Sequence, residues 1–443
     1  MADKPNIVLL TVDTFRADRL GCYGHHRATS PHLDAIAEEG VLCENMFCSG
    51  VPTQPSYTTL YTGQHPITHQ IVGHRSNAQL STSTPFLPEA FLDAGYATCA
   101  LDTLWEQKDW FGRGYQYYIN PGARRILSIA VPCEDLNARA IPWLREHAGE
   151  PFFLFMHYWD THGPYLPPKA YQKLFYEGNP TDPNNTSLAN AWKHPISALI
   201  RDVLLRRPEG VVTDAEFVIA MYDQQVRHIN DGLGELVATI DDLGLAEDTL
   251  ILIEGDHGES LTEHSIYFEH HGLYDNVLRI PFLARMPGRV QQGVRLPQMF
   301  QMHDIAPTIL EAAGLPRIPG MEGRSFWKVL TGEEESPGRD KIFSLECTLQ
   351  AKWCMRTREY KLILSREQDL YGNPMRELYD LVTDPGENHN IAGERPELAD
   401  AMENELEGWI ASRLRELGRT TDPLLEQGIS FREVLQTHAL GGN

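Results

Sequence analysis

Three short runs of apolar residues recur along the chain, and each is followed by polar residues that include an acid. The runs are Asn6 to Val12, Pro151 to Tyr158 and Thr249 to Glu254. Each is too short and too rich in β-branched and aromatic residues for a helix, so each predicts a buried strand of a parallel sheet. Amphipathic helical patterns lie between them, for example at Ser30 to Glu39 and Ala215 to Leu243. The alternation predicts a doubly wound α/β sheet.

A stretch in the middle of the chain interrupts this alternation. Residues 165 to 212 begin as a Pro- and Asn-rich loop and continue into a basic, helix-like segment around Leu199 to Arg207. We interpret this stretch as an insertion near the mouth of a ligand site. It lies within a catalytic domain that we expect to span residues 1 to 335.

The pattern changes again toward the C-terminus. Short strand patterns at Lys341 to Leu345 and Tyr360 to Leu364 are followed by a helical pattern at Pro396 to Leu414. Together they predict a smaller α+β domain over residues 336 to 443. Its tail, from Thr420 onward, is expected to pack either on its own chain or on a neighbouring subunit, which leaves a homo-oligomer open.

The composition is that of a folded globular protein and restricts its partners. The 443 residues are 42% hydrophobic and 22% charged, and the formal net charge is -23. This charge repels nucleic-acid phosphates and anionic membrane surfaces, so neither is an expected partner. An anionic small-molecule substrate would need local positive charge, which a bound metal ion can supply.

The first residues and the cysteines indicate the compartment. Met1 to Asn6 is polar, and the apolar run Ile7 to Leu10 is too short for a signal peptide or a membrane span. The seven cysteines are scattered, without a CxxC motif or paired Cys/His zinc spacing, so reduced and mostly buried thiols are expected. Both observations predict a cytoplasmic protein.

Acidic residues close two of the predicted strands. Asp13 ends the first strand, and Asp256 and His257 follow the strand that reaches Glu254. An isolated Asp in such a place is more often a helix cap or a turn residue. Because ligands of α/β sheets bind at the carboxyl ends of strands, the recurrence favours a shared site. Carboxylate and imidazole groups that converge there suit a borderline divalent ion such as Zn²⁺ or Mn²⁺.

Thr53 opens a segment with the signature of a helix N-terminus, because Pro55 falls in its first turn. One interpretation is a simple N-cap Thr. The other is a nucleophile, since a helix N-terminus stabilises anions and a nearby metal lowers the pKa of a hydroxyl.

Histidines follow the remaining strand ends. Asp160 and His162 come after the second predicted strand, in a segment that is either part of the site or a surface turn with a satisfied imidazole. His270 and His271 follow the third strand. We expect at least one of these two to face the metal.

Four regions of the chain carry recognisable motifs: Pro5 to Asp13 with Arg16 to Asp18 and Gly21 to Gly24; Gly255 to Ser260; His303 to Thr308; and Glu377 to Leu381 with Asp384 to Glu387 and Asn390. These motifs resemble the sulfatase branch of the alkaline phosphatase superfamily, and the resemblance covers nearly the whole chain. It implies a large mixed, mostly parallel sheet flanked by helices, with a smaller C-terminal α+β domain. It also implies a metal-dependent hydrolase.

Several positions depart from the sulfatase pattern. Sulfatases carry a Cys or Ser that is oxidised to formylglycine, whereas Thr53 stands at that position and cannot form the aldehyde. Thr14 replaces a second Asp, Tyr57 replaces an Arg, and the segment from Ser260 to Asn276 lacks the Lys that typically clamps sulfate. The arrangement is more similar to the phosphodiesterases and phosphonate monoester hydrolases of the superfamily, several of which use a metal-bound Thr or Ser.

This resemblance implies roles for individual residues. Thr53 is expected to be the nucleophile and itself to contact the metal. The ligands of the first Mn or Zn ion are expected to be Asp13, Asp256 and His257. A second ion is expected to be held by Asp160, His162 and His271. In an alternative with one ion, His162 and either His270 or His271 bind the ester oxygens or protonate the leaving group.

The predicted function is hydrolysis of a phosphate or phosphonate ester, most of all a phosphodiester, through a covalent phospho-Thr intermediate. The substrate is expected to be a small molecule. Two alternatives stay open: a sulfatase that acts without formylglycine, and a catalytically silent binding protein of the same fold.

Overall fold

The computed structural model describes residues 4–123, 131–193, 204–207, 210–369 and 371–432. The strands, in chain order, are β1 (Asn6–Val12), β2 (Val41–Phe47), β3 (Gly50–Val51), β4 (Ala97–Leu101), β5 (Tyr117–Ile119), β6 (Phe152–Tyr158), β7 (Arg206–Arg207), β8 (Gly210–Val211), β9 (Thr249–Gly255), β10 (Arg279–Ile280), β11 (Phe282–Arg285), β12 (Val294–Gln301), β13 (Ile342–Glu346), β14 (Lys352–Arg356), β15 (Tyr360–Ser365) and β16 (Arg376–Asp380). The α-helices span Pro31–Glu39, Thr53–Thr62, Pro66–His69, Leu87–Asp93, Cys133–His147, Ala215–Asp242, Asp275–Leu278, Ile305–Ala312, Trp327–Thr331, Pro396–Glu416 and Pro423–Gln427.

Nine strands form one large sheet, in the order β10-β2-β11-β9-β1-β6-β4-β5, with β12 beside β2. In its middle, β1 pairs in parallel with β6 on one side and with β9 on the other. The pairs of β4 with β5 and β6, and of β12 with β2, are also parallel. By contrast, β10 and β11 run antiparallel to β2. The large mixed, mostly parallel sheet is therefore confirmed.

The three central strands are buried on both faces. Every residue of β1, β6 and β9 is buried. Ile7 and Leu9 pack into one hydrophobic core, whereas Val8 and Leu10 pack into another. Because successive side chains of a strand point to opposite faces, a strand covered on both sides needs the continuous apolar run seen in the sequence. The parallel pairing brings the carboxyl ends of all three strands to one edge.

A second sheet of five strands has the order β16-β15-β14-β13-β3. Strands β13 to β16 pair antiparallel in sequence, and helix Pro396–Glu416 packs on them through Met402, Leu406 and Ile410. This is the smaller C-terminal α+β part that the sequence predicts. Strand β3 comes from the N-terminal half and pairs in parallel with β13. A boundary at residues 335 and 336 stays a proposal, because β3 ties the two parts together.

The predicted insertion is described only in part. Within it, Arg206–Arg207 pairs antiparallel with Gly210–Val211. The predicted helix-like segment therefore does not extend to Arg207, and residues 199 to 203 lie outside the described residues. Farther along, the tail packs on its own chain as far as it is described, since Ser430 Oγ donates to the His74 carbonyl oxygen at 2.7 Å. No helix among the described residues is long and apolar enough to cross a membrane.

Candidate active site

Asp13 lies at the carboxyl end of β1, in the middle of the large sheet. Its backbone N–H donates to the Tyr158 carbonyl oxygen at 2.9 Å, which continues the pairing with β6. The side chain is fully buried. Its Oδ2 atom lies 3.3 Å from His157 Nε2 and accepts a hydrogen bond from Thr53 Oγ1 at 3.5 Å. Asp13 thus contacts both an imidazole and a hydroxyl at the carboxyl edge of the sheet, where ligands bind in folds of this type.

Asp256 and His257 follow β9, the neighbour of β1. The backbone N–H of Thr14 donates to Asp256 Oδ1 at 3.1 Å. His257 Nδ1 lies 3.0 Å from the Gly258 carbonyl oxygen. Since that oxygen can only accept, Nδ1 carries the ring proton and Nε2 presents its lone pair. One ligand atom each from Asp13, Asp256 and His257 lies within 4.8 Å of the other two.

The buried atoms of this group suit a divalent cation. Among the described residues, Asp13 Oδ1, Asp256 Oδ2 and His257 Nε2 are buried without a hydrogen-bond partner. Buried polar atoms of this kind cost free energy unless something binds them. Two carboxylates and one neutral imidazole form a donor set that Zn²⁺ and Mn²⁺ both accept. The group is therefore a candidate metal centre.

The pKa values in this group also favour a cation. Burial alone would raise the pKa of Asp13, but the hydrogen bond from His157 and the neighbouring imidazoles outweigh burial and hold the pKa at about 2. Burial, together with the Asp13 carboxylate, raises the pKa of Asp256 well above its usual range. Two adjacent buried carboxylates ionise together only if positive charge lies beside them. Burial lowers the pKa of His257 to about 4, so its ring is neutral at pH 7, the form that binds metal.

Thr14, next to Asp13, has a strained backbone. Its φ of 52° lies in the left-handed region, which β-branched residues rarely adopt. This conformation accompanies the hydrogen bond from its N–H to Asp256, and the Tyr222 hydroxyl donates to its carbonyl oxygen at 2.6 Å. Such strain persists only where the surroundings hold it, and it concentrates at functional sites.

Thr53 is the first residue of helix Thr53–Thr62, and one residue separates it from the end of β3. The N-cap residue is Pro52, and no side chain caps the helix. The structure therefore does not use the Thr53 hydroxyl as an N-cap. The residue is only 2% exposed, and its Oγ1 contacts Asp13. The first N–H groups of a helix have no intrahelical partner and favour anions, so this hydroxyl lies where an anionic ester would be stabilised.

Two side chains fix this helix on the sheet. Ser56 Oγ donates to the Asp256 carbonyl oxygen at 2.6 Å, and the Tyr57 hydroxyl donates to Thr11 Oγ1 at 2.9 Å. The ring of Tyr57 is fully buried, with its centroid 4.5 Å from that of His157. Tyr57 is thus a packing residue. It does not provide the cation that an Arg offers at this position in sulfatases.

Three histidine rings lie together beside the candidate metal centre. The ring centroid of His270 lies 4.9 Å from that of His257 and 5.1 Å from that of His162. His162 Nδ1 lies 2.7 Å from the Gly163 carbonyl oxygen, which leaves Nε2 available to a ligand. Of the two adjacent histidines in the sequence, His270 is the one that stacks on a candidate metal ligand.

His271 is held by carboxylates instead. Its Nδ1 lies 2.8 Å from Glu346 Oε1, and the N–H of Gly272 donates to Glu346 Oε2 at 2.8 Å. On its other side, Nε2 lies 3.8 Å from Glu269 Oε2. Burial alone would lower the pKa of His271, but the two carboxylates outweigh it and raise the pKa above its usual value. The two carboxylates therefore favour the protonated form of His271, whose ring lies beside that of His270.

Asp160 points away from this centre. Its Oδ1 accepts a hydrogen bond from the Cys133 N–H at 3.1 Å and lies 3.2 Å from His228 Nδ1. In the described part of the chain, Asp160, His162 and His271 do not form a set whose ligand atoms lie within 4.8 Å of one another. The second metal site expected from these three residues is therefore not assembled, because the turn after β6 directs the carboxylate toward His228.

Two residues of the site were missing from the sequence prediction. His157 lies inside β6, opposite Thr11 of β1, and its contact with Asp13 follows from that register. A histidine within an otherwise apolar strand was the available signal. Glu346 comes from β13 of the second sheet, 75 positions after its partner His271. No local pattern indicates a contact of that separation.

A hydroxyl that faces a group of buried candidate metal ligands is an arrangement that suits a metal-dependent hydrolase. The chain belongs to the Sulfatase family, because residues 5–315 match the sequence pattern of that family. The C-terminal part, residues 262–436, also matches the family described as N-sulphoglucosamine sulphohydrolase, C-terminal. Sulfatase-family members bind a divalent metal, and the carboxylate and imidazole group at the end of β1 and β9 provides the candidate ligands.

Individual relatives are distant in sequence and similar over most of their length. An ulvan-active sulfatase of Formosa agariphila is 25% identical, over 88% of this chain and 76% of that protein. The iduronate 2-sulfatase of Homo sapiens is 25% identical, over 90% of this chain and 82% of that protein. Among solved structures, a phosphonate monoester hydrolase of Agrobacterium radiobacter superposes with a TM-score of 0.73 at 20% identity, over 92% of this chain and 96% of that one. The structural likeness confirms the fold.

Proposed function

We propose that this Sulfatase-family hydrolase cleaves phosphate or phosphonate esters, phosphodiesters in particular, with Thr53 as its nucleophile. The observation that carries the proposal is the Thr53 hydroxyl at the start of its helix, 3.5 Å from Asp13 Oδ2. Asp13, Asp256 and His257 would hold one divalent ion, Mn or Zn. That ion would supply positive charge that lowers the pKa of the hydroxyl and attracts the anionic ester.

The chain's own groups account for the proton and bond changes. Thr53 Oγ1 attacks phosphorus in line with the leaving group, so that a phosphorus–oxygen bond to Thr53 forms as the ester bond breaks. The cationic His271 gives its proton to the leaving oxygen, or His162 does so through Nε2. A water molecule then attacks phosphorus from the opposite side, the phosphorus–oxygen bond to Thr53 breaks, and Thr53 Oγ1 takes back from solvent the proton that it released to solvent before its own attack. The proton released from that water recharges the imidazole.

In this proposal, positive charge on His271 replaces the charge that sulfatases supply through an Arg and a Lys. The Arg position holds the buried Tyr57, and the segment from Ser260 to Asn276 has no Lys. Glu346 and Glu269 raise the pKa of His271 and so favour its protonated form, which would provide one cation near the ester oxygens. The first N–H groups of helix Thr53–Thr62 provide further hydrogen-bond donors for them.

Sulfate esters are the second candidate substrate class, because the curated relatives above are named as sulfatases. Thr53 argues against the usual chemistry of that class, since its secondary alcohol cannot become formylglycine. A sulfatase without the aldehyde would have to attack sulfur with the Thr53 oxygen directly.

The test is a comparison of ester classes on one preparation of the full chain, saturated with Mn²⁺ or Zn²⁺. We expect the highest kcat/KM for a bis-aryl phosphate, with aryl phosphonate and aryl phosphate next and aryl sulfate last. Faster hydrolysis of the aryl sulfate would assign the chain to the sulfatases. Absence of turnover with every ester, with metal bound, would indicate a binding protein instead.

A further inference from the structure

A second cluster of side chains that can bind a metal lies between helices Cys133–His147 and Ala215–Asp242, next to Asp160. It consists of Cys133, Glu134 and His228, and one ligand atom of each lies within 4.8 Å of the other two. Cys133 and His228 are buried, and Glu134 is exposed. None of these three residues takes part in the chemistry proposed for Thr53.

Close packing of two helices brings these atoms together. Helix Cys133–His147 begins at Cys133 and packs against helix Ala215–Asp242 at Gly232. A Cβ atom at Gly232 would lie only 2.7 Å from Cys133 Sγ, so the absence of a side chain permits this approach. As a result Cys133 Sγ lies 3.5 Å from His228 Nε2. Glu134 Oε1 lies 2.7 Å from the same nitrogen.

The carboxylate of Asp160 sets the orientation of the His228 ring. Its Nδ1 lies 3.2 Å from Asp160 Oδ1, which also accepts the Cys133 N–H. Nε2 shares a hydrogen with Glu134 Oε1, and the carboxylates of Asp160 and Glu134 outweigh burial and raise the pKa of His228, so a metal ion at Nε2 would take the place of that hydrogen. The ring of Tyr171 covers the imidazole, with centroids 4.9 Å apart. A carboxylate behind a histidine is the outer contact that metal-binding histidines commonly have.

We propose that Cys133, Glu134 and His228 bind a Zn²⁺ ion, with Asp160 as the residue that orients His228. One sulfur, one oxygen and one imidazole nitrogen form a three-ligand set that suits Zn²⁺ and leaves a fourth position to solvent at the exposed Glu134. The thiol proton of Cys133 passes to solvent as the sulfur–zinc bond forms. This site is separate from the Asp13 group, which has no sulfur ligand, and it does not depend on the function proposed for Thr53.

A metal ion at this position would hold the loop that follows β6. Asp160 belongs to that loop, and the next residue, Thr161, donates its hydroxyl hydrogen to the Asp13 carbonyl oxygen. The ion would therefore connect two helices to the segment beside the candidate active site. We expect zinc at this site to raise the melting temperature of the protein, because a ligand that binds only the folded state stabilises it.

Cobalt spectroscopy tests the proposal on the full chain. Co²⁺ bound by a thiolate shows an intense charge-transfer band in the near ultraviolet, which oxygen and imidazole ligands do not produce. Titration of the metal-free protein with Co²⁺ should give this band, and an excess of Zn²⁺ should abolish it. A wild-type protein that binds Co²⁺ without the band would overturn the proposal.

Matched variants locate the site. Cys133→Ser should lose the band, whereas Cys22→Ser, at a half-buried cysteine outside the cluster, should keep it. Asp13→Asn should also keep it, which separates this site from the proposed active site. A band that persists in Cys133→Ser would contradict the assignment.

An exposed ligand gives a test that does not disturb the core. Glu134→Gln should weaken Co²⁺ binding at the thiolate site by about tenfold or more, because even the loss of a residue that only supports a ligand costs about that much. Glu146→Gln, the same change at an exposed position of the same helix, should leave the affinity unchanged. Equal affinities in these two variants would show that the cluster is only a hydrogen-bonded ion pair. This comparison decides the matter even if Cys133→Ser does not fold.

Discussion

Replacement of Thr53 by Val separates catalysis from folding, because it removes the hydroxyl and keeps the β-branched shape. The hydroxyl makes one hydrogen bond, a long one of 3.5 Å to Asp13 Oδ2, and it does not cap the helix. Loss of such a bond should lower the free energy of unfolding by no more than about 1 kcal/mol. Loss of a covalent nucleophile should lower turnover by at least about a thousandfold, which equals roughly 4 kcal/mol of transition-state free energy.

The assay is hydrolysis of a bis-aryl phosphate under saturating Mn²⁺, together with thermal unfolding of the same samples. Thr62→Val is the matched control. Its hydroxyl lies in the same helix and donates to the Thr58 carbonyl oxygen at 2.6 Å, so this variant should lose stability and keep its turnover. The intact mass of the wild type should match an unmodified Thr53. Turnover of Thr53→Val within tenfold of the wild type would refute the nucleophile assignment.

Three further predictions concern the metal and the pH dependence. Protein saturated with Mn²⁺ should hold about one ion per chain, at the Asp13 group, and elemental analysis should give the same number for His162→Ala. A wild type with two ions and a variant with one would instead support the two-metal site at Asp160, His162 and His271. Affinity for Mn²⁺, measured by calorimetry, should fall as the pH is lowered, because the raised pKa of Asp256 makes a proton compete with the ion; constant affinity between pH 8 and about pH 5 would contradict this. Glu346→Gln should move the alkaline limb of the pH–rate profile to lower pH, because it removes the carboxylate that most raises the pKa of His271; an unmoved limb would exclude His271 as the acid.

Sequence patterns were sufficient for the sheet and for the group around Asp13. The runs that form β1 and β9 are apolar throughout, and parallel pairing then necessarily places Asp13 and Asp256 at neighbouring strand ends. His257 follows Asp256 directly in the sequence and therefore lies at the same strand end. The Pro in the first turn predicts that Thr53 lies at the start of its helix. The sequence alone could not show that the Thr53 hydroxyl does not cap that helix.

Residues beyond a strand end were not predictable in the same way. Asp160 lies two residues past Tyr158, in a turn where the alternation of side-chain directions no longer holds, and its carboxylate turns toward His228. The contact of His271 with Glu346 joins two sheets that are far apart in the chain. Such contacts depend on how β13 docks beside β3, which no local hydrophobic pattern records.

The balance of charge bears on how the proposed site would bind an anionic ester within a protein of net charge -23. Asp13 and Asp256 carry two buried negative charges once both are ionised, and a divalent ion offsets them. Attraction for the ester must then come from other groups. In the proposed site, protonated His271, whose pKa Glu346 and Glu269 raise, would provide it together with the helix N-terminus at Thr53. Because a histidine loses this charge as the pH rises whereas a sulfatase Lys would keep it, activity should decline on the alkaline side well before a Lys could titrate.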